Sequence, residues 1–394
     1  MSYEVDLLEK LISIDTDVNK KTGYVEMAEF LERECEALGL NVKIYDGVNI
    51  VKDGYSRPNV AASLNMNVEK TLMLISHYDV VPPGEGWSFN PFKPIRKNDL
   101  IFGRGASDDK SAIAAALGIA KKIQEEAEEA KRNLLFLFTC DEEVGGDAGL
   151  GYLMNEVGLK ADEALIMDAG YEAVYIGASG ILTGEIKVKG VQGHAGYPFK
   201  AINPIYSLAK IVLKLEEFSI LREKKISKFP APPDAPKPYV WGRFSVTMLR
   251  AGEKSNIIPG EASAIFDLRL IPEENVEEAK KEFIEYLKKV NNELNVKSEL
   301  TKFNGGGNYY TDVNHPFVKN FKKAVEKTIG KQIPLAAELG GNDGRYTSAK
   351  NIPTVCFGPI AKDSRFHGVD EFVRIKDLLM VRDAVLNYIL KEAE

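Results

Sequence analysis

The chain has 394 residues, 44% of them hydrophobic and 28% charged, with a formal net charge of −7, the composition of an ordinary globular protein. Acidic and basic residues are interspersed, which argues against the basic face that a nucleic-acid partner needs, and no apolar run has the length to span a bilayer. Cys35, Cys140 and Cys356 are odd in number, far apart and without CxxC spacing, so neither a disulfide framework nor a thiolate zinc site is expected.

At this length two domains are expected. The N-terminus, "MSYEVDLLEKLISIDTD", is acidic and amphipathic and lacks the basic and apolar regions of a signal peptide; a soluble, cytoplasmic protein is expected. Residues 58–65 and 71–77 read as strands. Residues 108–132 read as a helix, with Ile113, Ala116, Leu117, Ala120 and Ile123 on one face. Residues 133–143 and 163–170 read as further apolar strands. Continuous apolar strands separated by a helix predict an α/β layer fold, its sheet covered on both faces. Near residue 180 the pattern changes. Residues 180–190, 243–252 and 261–271 alternate apolar and polar, residues 203–218 and 273–293 read as amphipathic helices, and 228–240 is a proline-rich loop. From about residue 297 the first style returns, with a helix over 315–330, an apolar strand over 352–358 and a final helix over 375–392. The simplest organisation is a discontinuous catalytic α/β domain, 1–179 and 297–394, interrupted by an α+β insert, 180–296.

Chemistry-bearing residues collect where strands end, the place where open α/β sheets bind ligands. His77 and Asp79 follow the strand 71–77 in "SHYDVVPPG". They read equally as a polar turn or as a metal ligand with the carboxylate on the other ring nitrogen. Asp108 and Asp109 in "GRGASDDK" precede a helix and suit either an N-cap or a divalent metal. "TCDEEVGG" ends an apolar strand in three acids, whose repulsion a cation would relieve; Glu143 is then a candidate ligand and Glu142 a candidate general base. Asp168 ends another apolar strand, and His367 lies in a turn after the strand 352–358. Two imidazoles and three carboxylates, His77, Asp108, Glu143, Asp168 and His367, form a donor set for a pair of borderline-to-hard divalent ions.

In chain order, "SHYDVVPPG", "GRGASDDK", "TCDEEVGG", "GVQGHAGYP" and "FHGVDEF" resemble the signature series of the dinuclear-zinc amidohydrolase and exopeptidase family. That family includes acetylornithine deacetylase, succinyl-diaminopimelate desuccinylase, aminoacylase, glutamate carboxypeptidase and several dipeptidases. The motifs run from residue 76 to 373. The resemblance implies a zinc-peptidase-like catalytic domain with a mixed, mostly parallel sheet flanked by helices, and an inserted lid and dimerisation domain. It implies that His77 and Asp168 hold one zinc, that Glu143 and His367 hold the other, and that Asp108 bridges them and is followed by a cis peptide. Cobalt or manganese could replace zinc. Asp79 would orient His77. Glu142 would take a proton from a water activated by two ions, which in such sites lie about 3.5–4 Å apart, as it attacks an amide carbonyl. His194 would donate to the oxyanion, often from the partner subunit of a homodimer. Asn256 and Arg269 would grip a substrate carboxylate, Gly340 and Gly341 would let the backbone approach the ligand, and Arg345 would anchor their loop. His315, before a proline at a helix start, reads as surface.

One position departs from the biosynthetic deacylases. Those relatives carry glutamate where this chain has Asp168, whereas dipeptidase and aminopeptidase relatives more often carry aspartate. The expected function is metal-dependent hydrolysis of an amide in a small N-acyl amino acid, with a dipeptidase or carboxypeptidase as the alternative. A catalytically dead metal-binding assembly protein is a remote third reading, because Glu142 and all five ligands are present.

Overall fold

The structure, a computed structural model, describes residues 2–126 and 130–390. The chain divides into two compact units: Met1–Gly177 with Tyr310–Ala336 and Asn342–Glu394, and Ala178–Tyr309 with Ala337–Gly341.

The first unit is built on a mixed sheet with a parallel centre. Thr71–His77 runs parallel to Asn133–Thr139 on one side and to Glu163–Ile166 on the other, and Thr354–Cys356 continues the parallel run beyond Glu163–Ile166. Antiparallel strands Pro58–Leu64 and Asn41–Asp46 extend the sheet past Asn133–Thr139. Leu72, Met73 and Leu74 are fully buried, as a central strand with both faces covered requires. The helix expected over 108–132 is seen as Lys110–Glu126; residues 127–129 lie outside the described residues. Its first turns are not amphipathic: Ala112 to Leu117 are all fully buried. Small alanines let it pack closely between Tyr3–Ser13 and Ile375–Ile389. Residues 391 and 392 of the expected last helix also lie outside the described residues.

The second unit is a four-stranded antiparallel sheet in the order Arg243–Ala251, Glu261–Leu270, Gly180–Lys189, Ser298–Gly306. One face packs against the helices Pro204–Arg222 and Val276–Leu294 through Leu182, Phe218, Phe244, Phe266 and Phe283. Asn203 and Asn275 cap these helices, each accepting from a backbone N–H in the first turn.

Two expectations are corrected. The insert does not end at residue 296: Ser298–Gly306 pairs with Gly180–Lys189, and the unit extends to Tyr309 and takes in residues 337–341. The proline-rich stretch is not all loop, because Ile226–Pro230 and Tyr239–Trp241 form a two-stranded ribbon. Its prolines sit at the strand end or in the connection, where no ladder hydrogen bond is lost. No helix among the described residues is long and apolar enough to cross a membrane.

Candidate metal centre

Parallel register brings three strand ends together. His77 lies level with Thr139, and Ile75 with Ile166, so the chain beyond each carries its polar residues to one edge of the sheet. Past these ends come His77 and Asp79, then Glu142 and Glu143 on a short 3₁₀ turn, then Asp168. Asp108 arrives from the turn before the helix Lys110–Glu126. The peptide from Asp108 to Asp109 is cis.

The distances sort these side chains into two groups. His77 Nε2 lies 3.1 Å from Asp108 Oδ1 and 3.7 Å from Asp168 Oδ2. His367 Nε2 lies 3.0 Å from Asp108 Oδ2 and 3.1 Å from Glu143 Oε1. One carboxylate therefore faces both imidazoles, one oxygen each. Donors on a tetrahedral zinc, with bonds of about 2.0–2.1 Å, are separated by roughly 3.3 Å, the spacing seen here among these atoms. His77, Asp108 and Glu143 bring donor atoms within 4.8 Å of one another, as do His77, Glu142 and Asp168.

The electrostatics also favour added positive charge. Burial opposes the imidazolium of His77, yet hydrogen bonds to Asp108 and Asp79 and the surrounding carboxylates raise its pKa well above the usual value. Hydrogen bonds to Asp108 and Glu143 raise His367 to about 10. Burial and then the charge of Asp343 raise Glu142 well above the carboxylate range; burial and Asp108 raise Glu143. These side chains by themselves take up protons, so the donor set fits divalent cations in place of those protons. His77 is buried, whereas the His367 side chain is 49% exposed, which leaves that side of the cluster open to solvent.

The surrounding hydrogen bonds refine one expected role. His77 Nδ1 meets the backbone carbonyl of Asp79 at 3.0 Å and lies 3.5 Å from its carboxylate. The carboxylate also accepts from the N–H groups of Glu142 and Glu143, at 3.2 and 3.1 Å. Asp79 thus fixes His77 through its main chain and the two glutamates through its side chain. Asp109 Oδ2 accepts from the N–H of His77 at 3.1 Å.

Three further residues, Glu371, Arg104 and Asp343, contribute to the cluster without a signal of their own in the sequence. Glu371, fully buried, accepts from the N–H groups of Gly105, Ser107 and Asp108 at 2.8–3.1 Å and from Arg104 Nη1 at 2.6 Å, so Glu371 and Arg104 hold the backbone that presents Asp108. Asp343, buried beside Glu142, has its pKa raised to about 6 by burial against the opposing pull of Arg345. Glu371 lies inside the motif "FHGVDEF", and Asp343 lies between the expected Gly341 and Arg345; those neighbours are the available signals. Arg345 Nη2 bonds the carbonyl of Gly145 and the hydroxyl of Tyr346, and so ties its helix to the turn that follows Glu143.

The other expected residues belong to the second unit. His194 and Asn256 come together there: Gly193–His194 pairs with Ile257–Ile258, and the N–H of Ala195 donates to the Asn256 carbonyl at 2.9 Å. His194 Nδ1 accepts from the N–H of Gly196 at 3.0 Å. Arg269 Nε donates to Asp267 at 2.7 Å. A side chain at Gly341 would meet Ile181 Cδ1 at 3.1 Å, whereas one at Gly340 would meet nothing within 4 Å. His315, in the first unit, caps its helix, Nδ1 accepting from Phe317 N–H at 3.2 Å.

Residues 73–391 match the sequence profile of Peptidase family M20/M25/M40. The chain belongs to that family. It is 29% identical to an uncharacterized metallohydrolase of Methanocaldococcus jannaschii, over 96% of this chain and 98% of that one. It is also 29% identical to a succinyl-diaminopimelate desuccinylase of a Sulfurovum species, over 95% of each chain. Among solved structures, an M20 family metallo-carboxypeptidase from Sulfolobus solfataricus shares the fold, with a TM-score of 0.80, 22% identity and 99% coverage of both chains. A Staphylococcus aureus tripeptidase shares it with a TM-score of 0.78 and 24% identity, covering 98% of this chain and 97% of that one. As an M20 family protein, the chain is a metallohydrolase acting on carbon–nitrogen bonds.

Proposed function

We propose that this protein cleaves the amide bond of a small N-acyl amino acid, with dipeptides as the alternative substrate class. The reading is carried by Asp108, whose two oxygens lie 3.1 and 3.0 Å from the Nε2 atoms of His77 and His367, as a carboxylate shared between two cations would. His77 and Asp168 hold one ion, Glu143 and His367 the other. Zinc is the proposed metal, with cobalt or manganese as substitutes, because the donors are imidazole and carboxylate without thiolate. Two such ions supply an activated water and polarise the scissile carbonyl.

Glu142 takes the water's proton and returns a proton to the leaving amine; its raised affinity for a proton supports that role. His194 donates to the oxyanion. In support, its Nδ1 accepts from Gly196, which puts the proton of the neutral ring on Nε2. Asn256 and Arg269 bind the substrate carboxylate, with Gly340 and Gly341 giving backbone access and Arg345 anchoring the loop. The inserted unit serves as lid and homodimer surface. The exposed Tyr206, Leu213 and Ile220 on one helix support the latter. A cytoplasmic location without nucleic-acid or membrane partners completes the proposal. Asp168, in place of the deacylases' glutamate, is the feature that favours the dipeptide alternative.

The test is to strip the protein with a chelator, reload it with zinc, cobalt or manganese, and assay N-acetyl-ornithine, N-succinyl-diaminopimelate, other N-acyl amino acids and dipeptides. Metal-dependent cleavage of acyl amino acids in preference to dipeptides is expected. Metal-independent cleavage, or no cleavage of any amide, would overturn the reading.

A further inference from the structure

In the second unit Arg243 stands directly opposite Arg269 in the antiparallel pairing, so both guanidinium groups rise from one face of the sheet. Phe244 and Leu268, the next residues along, belong to the core under the helices; the arginines therefore lie on the face away from them. Like charges placed directly opposite in a sheet are destabilising, and among the described residues only Arg269 of this pair has a carboxylate at ion-pair distance. Arg269 has Asp267 at 2.7 Å. Arg243 has no carboxylate within ion-pair distance among the described residues. Its Nη2 donates to Ser179 Oγ at 2.7 Å, its guanidinium lies 5.4 Å from the Trp241 ring centre, and its Nε is buried without a hydrogen-bond partner.

Arg222, in the same unit, is a structural arginine and makes the contrast: fully buried, it has Glu274 at 2.7 Å and Glu282 at 2.9 Å. Arg243 is half-buried and has no such partner among the described residues. Burial, and next the charge of Arg269, push its pKa down to about 10, so it stays charged at neutral pH. The charge of Asp267 acts against that shift without reversing it, and the remaining cost of a partly desolvated cation is met when an anion is bound. Ser179, fully buried, presents its hydroxyl to the same guanidinium. Gly341 packs closely on this segment, since a side chain there would meet Ile181 Cδ1 at 3.1 Å and Ser179 O at 3.3 Å.

We propose that Arg243 and Ser179 form a second carboxylate site beside Arg269, and that the substrate carries one carboxylate more than Arg269 alone can hold. The substrate class is then a dicarboxylic N-acyl amino acid or a dipeptide with an acidic side chain. The proposal rests on the hydrolase reading above, in which Arg269 binds a substrate carboxylate.

Matched substrates test it: N-acetyl-glutamate against N-acetyl-glutamine, and Ala-Glu against Ala-Gln, with the zinc-loaded wild type, Arg243→Gln and Arg243→Lys. The wild type should favour the acidic member by about tenfold or more in kcat/KM, the scale of one charge-assisted hydrogen-bond pair. Arg243→Gln should bring that ratio close to one, and Arg243→Lys, which keeps the charge without the fork, should restore part of it. A wild-type ratio near one, or an unchanged ratio in Arg243→Gln, overturns the proposal. If Arg243→Gln does not fold, Arg243→Lys decides, because an unchanged ratio there equally overturns it. Calorimetric titration with glutarate and its monoamide separates this from failure of the hydrolase reading. If neither substrate pair is hydrolysed, glutarate binding that is tighter than monoamide binding and lost in Arg243→Gln still supports the site. Equal binding of the two probes overturns it.

Discussion

Asp79 Oδ1 accepts a hydrogen bond from the backbone N–H of Glu142 at 3.2 Å, while Oδ2 accepts from the next N–H, that of Glu143, at 3.1 Å. A single carboxylate thus sets the position of both the proposed base and a proposed ligand. An amide has one acceptor oxygen, so Asp79→Asn keeps the size but loses one of the two bonds. The expected result is a fall in kcat of about 10–100-fold, the usual effect of a residue that orients metal ligands. Steady-state kinetics with zinc at saturation measure it; an unchanged kcat would show that the bonds do not position Glu142.

Glu371 and Arg104 form a buried ion pair at 2.6 Å that also holds the N–H groups around Asp108. Glu371→Gln leaves the guanidinium buried without its counter-charge, at a cost of about 3–5 kcal/mol. The urea midpoint should fall accordingly. Zinc affinity, read by competition with a chromogenic chelator, should fall with it, because Asp108 loses its support.

Asp343 gives a pH dependence of definite sign. Its pKa of about 6 in the folded chain lies above the roughly 3.9 of an unfolded aspartate. Between those values the folded state binds more protons, so the contribution of this group to stability falls as pH rises and is fully lost above about 6. Asp343→Asn removes the effect. Denaturation of chelator-treated protein should therefore show the variant gaining on the wild type from pH 4 to 6, by up to roughly 3 kcal/mol, with a constant difference above. A gap that narrows over that interval would contradict the assignment.

The two-ion arrangement predicts a graded loss of metal. The wild type should bind two zinc ions per chain. His367→Ala should keep the ion proposed between His77 and Asp168 and weaken the other. Asp108→Ala should weaken both. Equilibrium dialysis with elemental analysis reads this out, and a selective one-ion loss in Asp108→Ala would rule out the bridging role.

Much of the cluster was legible in the sequence because its residues sit just past apolar strands: His77, Glu143 and Asp168 follow three adjacent strands in the sheet. Other roles were illegible because tertiary hydrogen bonds create them. Glu371 reaches main-chain groups more than 260 residues away in the chain, and no periodicity encodes that. The Asp79 carboxylate lies 3.5 Å from His77, as the sequence leads one to expect, but its bonds to backbone donors 63 and 64 residues on are not legible there. The helix Lys110–Glu126 looked amphipathic, yet its alanines are buried on every side because helices pack around it. The end of the insert is not legible in the sequence because Ser298–Gly306, with its two glycines and a register shift between Thr301 and Asn304, lacks clean alternation.

The most direct test measures bound zinc and amide hydrolysis on one sample of Glu142→Ala beside the wild type. Both should hold two zinc ions per chain, with hydrolysis lower by at least about a thousandfold in the variant, at the strong end of general acid–base effects. Hydrolysis at the wild-type rate with both ions bound would contradict this, because Glu142 would then not be the base.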